Sequence, residues 1–279
     1  MSGSASPQPA SSRGSAPLKL SVNALLVSPL RVRWAAACGL WRYHGCWRVP
    51  QIRERLKEEL YRELDETMPI VLVLSLIAAV MIFIVLPASL REQAERILTN
   101  LWPIWVVQAA PMVCAQVLCM LNAPAMALRY VELHAAGQFS DKPELRDRRV
   151  AALAVPQILA HAFLCAACAC LLVTFSLLFG VLAELVLAVG DLRSVLTTIL
   201  ASTSPLAWLR ALGQAAVLGA VCALSAVLFA WPGSQTASSA KDTHRIGILA
   251  MIAASIACAL AGLAMNWVAG LLGWSPGVL

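Results

Sequence analysis

The sequence predicts an all-α integral membrane protein, with an N-terminal amphipathic helix and five transmembrane helices, on three observations. Of its 279 residues 60% are hydrophobic and only 13% charged, with a mean hydropathy of +0.76; a soluble domain carries about 25% charged residues. Five stretches hold no charge at all: 68–86, 97–128, 150–183, 211–240 and 246–279. A helix crosses roughly 30 Å of hydrocarbon with about 17–25 apolar residues, so each stretch is long enough to span.

The third observation is where the charges lie. Of 21 lysines and arginines, ten precede Met68, five fall in 129–149, and Lys241 and Arg245 fall in 232–245. Only Arg91, Arg96, Arg193 and Arg210 remain. Five spans place the first three groups on one face, 17 cations against four. The positive-inside rule makes that face cytoplasmic and puts the C-terminus outside. The net charge of +6 is therefore a topology signal, and no nucleic-acid partner is expected.

Taken in order, residues 1–17 (MSGSASPQPASSRGSAP) lack an apolar stretch and read as a disordered tail without a secretory signal. Residues 18–67 form an interfacial region. Its first part interleaves Arg31, Arg33, Arg42 and Arg48 with Trp34, Trp41, Tyr43 and Trp47. Indoles sit at headgroup depth while guanidiniums reach phosphates, so Trp34, Trp41 and Trp47 are interfacial anchors. Residues 51–67 (QIRERLKEELYRELDET) are the most helical stretch in the chain. Arg55 with Glu59, Glu58 with Arg62 and Arg62 with Glu66 are opposite charges four apart. Ile52, Leu56, Leu60 and Leu64 make one apolar stripe with Tyr61 beside it, a further anchor for a helix lying on the membrane or on another subunit. Pro69 then opens a 68–279 domain, with spans at about 68–88, 101–127, 150–180, 207–231 and 246–269.

Here a resemblance enters. Leu60-Tyr61-Arg62, followed by Met68-Pro69-Ile70-Val71-Leu72 and the apolar run to Val85, resembles the lead-in to the first span of MlaE/YrbE-type permeases. These are membrane subunits of ABC transporters that move phospholipids with MCE-domain proteins. The family's fold, an elbow helix plus five spans with a cytoplasmic N-terminus, agrees with the charge reading. Ala110-Pro111-Met112-Val113 and Val155-Pro156-Gln157-Ile158-Leu159-Ala160 are similar to two further steps of the family pattern, with Gln157 in place of an arginine. The family's Gly-Arg-x-Gly patch is replaced by Leu121-Asn122-Ala123-Pro124. The resemblance covers roughly residues 50–270.

The second span holds Pro103, Pro111 and Pro124, tolerable in a bundle where neighbours satisfy freed carbonyls. Residues 129–149 (RYVELHAAGQFSDKPELRDRR) form a charged island between two charge-free spans. By resemblance it stands where the family has its ATPase-coupling helix, with Arg129, Glu132, Asp141 and Pro143 as the candidate coupling residues. Its other reading is a solvated loop that satisfies the topology rule.

The third span carries His161; a buried histidine is commonly a packing residue, though an ionisable group in a span is also a functional candidate. Residues 181–206 are expected outside. The fourth span has Trp208 and Trp231 at its ends as interfacial anchors. In the fifth, Ala250, Ala253, Ala254, Ala257, Ala261 and Gly262 permit close helix approach.

No metal site is expected. Cys165, Cys168 and Cys170 follow His161, but Cys170 points away from the face that the other three share. Cys114, Cys119, Cys222 and Cys258 read as small hydrophobes within spans. There is no phosphate-binding glycine loop and no paired carboxylate inside a span, so an enzyme is not expected.

The function that follows is a permease subunit moving phospholipid or related lipids in a bacterial inner membrane, holding no cofactor of its own. Its expected partners are an ABC ATPase that hydrolyses the ATP, an MCE-domain lipid-binding protein, a second permease copy or paralogue, and membrane lipids. The alternatives are a non-transporting or heterodimer-partner scaffold of the same fold, and a membrane enzyme using His161 with a cysteine.

Overall fold

The structure is a computed structural model that describes residues 50–85, 100–138, 143–187, 197, 199, 201, 203–234 and 240–273. The expectations for the 1–17 tail, for Trp34, Trp41 and Trp47, and for Asp141 lie outside the described residues. Among the described residues the chain is helical and without strands. The elements are α1 (Pro50–Ala79), α2 (Ala110–Ala135), α3 (Pro143–Leu187), α4 (Pro205–Ser234) and α5 (Ala240–Leu271). Each belongs to one of five helices long and apolar enough to cross a membrane, the second of them starting at Asn100.

The helices run well past their charge-free stretches. α1 in particular starts in the charged segment and continues without a break through Pro69. The amphipathic region and the first span are thus one rod, with Pro69 inside it rather than at its start. Pro124 and Pro156 likewise sit inside α2 and α3. Around Pro111 the chain adapts differently. Residues Trp105–Ala109 form a wide π-turn, and the Ala110 N–H reaches back to the Trp105 carbonyl. A proline inside a helix clashes with the carbonyl four residues earlier, and a widened turn gives that carbonyl room. α1 ends in a similar π stretch, Val80–Val85.

α4 is the hub of the bundle and packs along α2, α3 and α5. α5 also lies on α2, while α1 packs mainly along α3. Small residues set these distances. A Cβ on Gly219 of α4 would stand 2.3 Å from the His161 carbonyl oxygen and 2.7 Å from the Cys165 Cβ. Only glycine lets α3 and α4 cross that closely. In α5, Ala250, Ala254 and Cys258 are wholly buried along one line, the close approach expected of its small residues.

Outward rows are apolar. Leu72, Val73, Leu76 and Ile77 on α1, and Ile252, Ile256, Leu260, Leu263 and Trp267 on α5, are all exposed. A soluble protein seldom shows apolar patches of that extent, and lipid or another subunit is their natural solvent. Trp231 departs from its expected place as an interfacial anchor. It is buried at the end of α4, its ring edge-on to Tyr130 at 6.4 Å and to His134 at 6.5 Å. Two aromatic partners on α2 offer the indole more than a water boundary would.

Candidate functional site

At one end of the bundle, the start of α1, the end of α2 and the start of α3 meet, and there the interior is polar. The face of α1 turned inward carries Glu59, Glu63 and Thr67, 6%, 3% and 1% exposed. Leu60 and Leu64 pack beside them and are only half-buried, while Tyr61 is 70% exposed. The contact face is thus rotated by about one residue, or ~100°, from the leucine stripe that the sequence suggests. A carboxylate is costly to bury without partners; Glu59 has two, whereas Glu63 Oε2 has no hydrogen-bond partner.

Glu59 is held twice. Arg62, one turn on, sets a guanidinium nitrogen 2.5 Å from Glu59 Oε2, and Arg129 at the end of α2 pairs with Oε1. The expected pairs four apart are thus replaced by a pair three apart and a tertiary one. Among the exposed charges Lys57 similarly takes Glu54, three residues back, at 3.1 Å. Glu63 faces α3. Its Oε2 lies 3.3 Å from Nδ1 of the fully buried His161, with Arg62 at 3.9 Å from its other oxygen. His161 Nδ1 donates to the Gln157 carbonyl at 2.9 Å, which fixes the proton on that nitrogen. Tyr130 donates to Gln157 Oε1 at 3.4 Å. One network therefore ties three helices through Glu59, Arg129, Glu63, His161, Gln157 and Tyr130.

The charged island is not a separate helix. Its first part is the end of α2, which closes in a tight turn at residues 136–138, and its last part is the start of α3. Gly137 has φ +65°, the Gly137 N–H donates to the His134 carbonyl at 3.0 Å, and the Gln138 N–H donates to Leu133 at 3.1 Å. That is a Schellman ending, which needs a residue tolerant of the left-handed conformation, and glycine is the one without a Cβ penalty. Arg149 donates to the Gln138 carbonyl and so closes the turn onto α3.

Between turn and α1 lies an open cleft of about 560 Å³ lined by Arg55, Glu58, Glu59, Arg129, Leu133 and Arg149, among others. Its three arginines against two glutamates give it a cationic balance. Of the expected coupling residues, Arg129 lines this cleft. Glu132 stands on the exposed side of the last turn of α2, where its carbonyl accepts the Ala136 N–H. Pro143 is the first residue of α3. Sequence reading missed Glu59 and Glu63 as interior residues, because an acidic helix face carries no sign of the arginine and histidine that later cover it.

A second grouping was also missed. Cys119 of α2, Cys222 of α4 and Cys258 of α5 are fully buried and meet at the middle of the bundle. Cys119 Sγ lies 2.9 Å from Cys222 Sγ and 3.6 Å from Cys258 Sγ. The set considered from the sequence around His161 is a different one, and it is these three thiols that could hold a metal. Gly219, three residues before Cys222, is where α4 meets α3, so the same close packing supports both features. No family model and no curated protein matches the chain.

Proposed function

We propose that the chain is the membrane subunit of an ABC transporter for phospholipid or a related lipid, working as a dimer with a second copy or a paralogue. A separate ATPase supplies the energy and an MCE-domain protein receives or delivers the lipid. The observation that carries this reading is the build of the 129–149 region. Its described residues end α2 in a glycine-capped turn and begin α3, and the Glu59–Arg129 pair braces the end of α2 to α1. A coupling element must be rigidly joined to the spans it moves, and this bracing supports that reading. Glu132 on its exposed side and the arginine-rich cleft beside it, with Arg55 and Arg149, offer a charged surface to a soluble partner.

On the charge distribution this end is cytoplasmic, with the N-terminus inside and the C-terminus in the periplasm of a bacterial inner membrane. The charged half of α1 stands where the family has its elbow, but as the continuous cytoplasmic end of the first span, packed on α3. The resemblance noted above in the residues before Val85 gives the substrate class.

Affinity purification of the tagged wild-type chain from its native membrane, followed by mass spectrometry, tests the assignment. An ABC ATPase is expected to co-purify, and Glu132→Lys is expected to reduce its recovery at least tenfold. Recovery without any ATPase, or an association indifferent to Glu132→Lys, overturns the coupling role and leaves the non-transporting scaffold. Phospholipid extracted from the purified complex is expected in amounts stoichiometric with the dimer.

A further inference from the structure

The three thiols at the centre of the bundle are contributed one each by α2, α4 and α5, and their ligand atoms all lie within 4.8 Å of one another. A metal bound to three thiolates at about 2.3 Å in a plane sets the sulfurs about 4.0 Å apart. Cys119 Sγ stands 2.9 Å from Cys222 Sγ and 3.6 Å from Cys258 Sγ, so the three sulfurs already converge and have only to spread slightly to reach that spacing. From this convergence we propose that Cys119, Cys222 and Cys258 form a three-coordinate site for a soft monovalent metal ion, copper(I).

The chemistry selects the ion in two steps. Thiolate sulfur favours soft metals: copper(I), zinc and iron–sulfur clusters. Zinc in a closed protein site takes four ligands in a tetrahedron. Among the described residues no fourth His, Cys, Asp or Glu ligand joins the three, and the surroundings are apolar: Ala115, Leu118, Ala223, Ala226 and Ala254 are all fully buried. Copper(I) needs no fourth ligand, and its site is neutral with one thiolate and two thiols.

Cys258 donates to the Leu218 carbonyl at 3.2 Å, and Cys119 donates toward Cys222, so the thiols satisfy one another and the backbone. Gln116 clamps the neighbouring turns of α2 and α5 by donating to the Ser255 carbonyl at 3.1 Å. When copper(I) enters, copper–sulfur bonds replace S–H bonds and each displaced proton leaves to solvent. No electron changes hands. Loss of one proton leaves the site neutral, and each further loss adds a negative charge to an apolar interior.

The experiment uses the full chain purified in detergent under reducing conditions, loaded with copper(I) and challenged with bathocuproine disulfonate, a copper(I) chelator. Wild-type protein is expected to retain one equivalent. X-ray absorption at the copper edge is expected to show three sulfur neighbours at about 2.3 Å. Cys119→Ser/Cys222→Ser/Cys258→Ser is expected to yield its copper at least tenfold more readily, whereas Cys38→Ser/Cys46→Ser/Cys170→Ser behaves as wild type. Equal loss from the wild-type protein and the first triple variant overturns the proposal, as does a copper shell of nitrogen and oxygen, or zinc displacing copper at equal concentration. Should the first triple variant not fold, the absorption spectrum of the wild-type protein decides alone: three sulfurs support the site, and any other shell refutes it.

Discussion

Glu59 shows how one residue changes meaning between sequence and fold. In the sequence it is one of several acids on a solvated helix, matched to Arg55. In the fold it is buried, and its counter-ion comes from Arg129, 70 positions on. Removing one partner of a fully buried pair strands the other charge and costs about 3–5 kcal/mol. Arg129 keeps 37% of its side chain exposed, so water offsets part of that cost. Arg129→Ala is expected to destabilise the bundle by about 1–3 kcal/mol, read as a lowered unfolding midpoint in detergent. Adding Glu59→Gln should recover part of the loss, since the stranded charge is then gone; a double variant worse than the sum of the two singles would contradict the pairing. His161, with only packing or an undefined function suggested by its sequence context, turns out to face Glu63 across α1 and α3. The three central thiols teach the same lesson. They are separated by 103 and 139 positions, so no spacing rule brings them together.

At the scale of elements, the sequence was most legible where a pattern is local. The apolar runs, the helical charge spacing of residues 51–67 and the small residues of α5 all point to helices that the fold contains. Two features escaped. A proline in a first turn reads as a helix start, yet Pro69 sits inside α1, where it removes one hydrogen bond and crowds the carbonyl four residues earlier without ending the helix. The island reads as a loop or a short helix, yet its described ends extend α2 and α3, with Gly137 closing α2 in a left-handed turn. The crossing of α3 and α4 gives the sharpest test at this scale. Gly219→Val sets two methyl groups against the His161 backbone, and overpacking of this kind costs about 1–3 kcal/mol or more. We expect the variant to lose monodispersity on size exclusion, while Gly213→Val, with nothing near its position, behaves as wild type. Equal behaviour of the two would mean that the helices cross further apart.

For the whole molecule, five helices among the described residues are long and apolar enough to make a multi-pass membrane protein, and the charge bias is the ground for the orientation proposed above. A C-terminal alkaline phosphatase fusion is expected to be active in bacteria and a C-terminal green fluorescent protein fusion dark; the reverse pattern would invert the topology and remove the cytoplasmic assignment of the 129–149 turn. The apolar faces of α1 and α5 remain available to lipid or to a second subunit, as a dimeric permease requires.

The packing of α1 also sets an order of events during synthesis. Of the described helices α1 leaves the ribosome first, carrying Glu59 and Glu63 before either α2 or α3 is made. Glu59 gains Arg129 only when α2 is complete, and Glu63 gains His161 only after the chain has turned at Gly137 and begun α3. Until then the inner face of α1 has acids to keep in water or at the headgroups, so the helix can enter the bilayer but cannot settle against its final neighbour. The earliest of the described helices is therefore among the last to be locked, and a chain stalled before residue 161 should hold α1 loosely enough for a protease to find it.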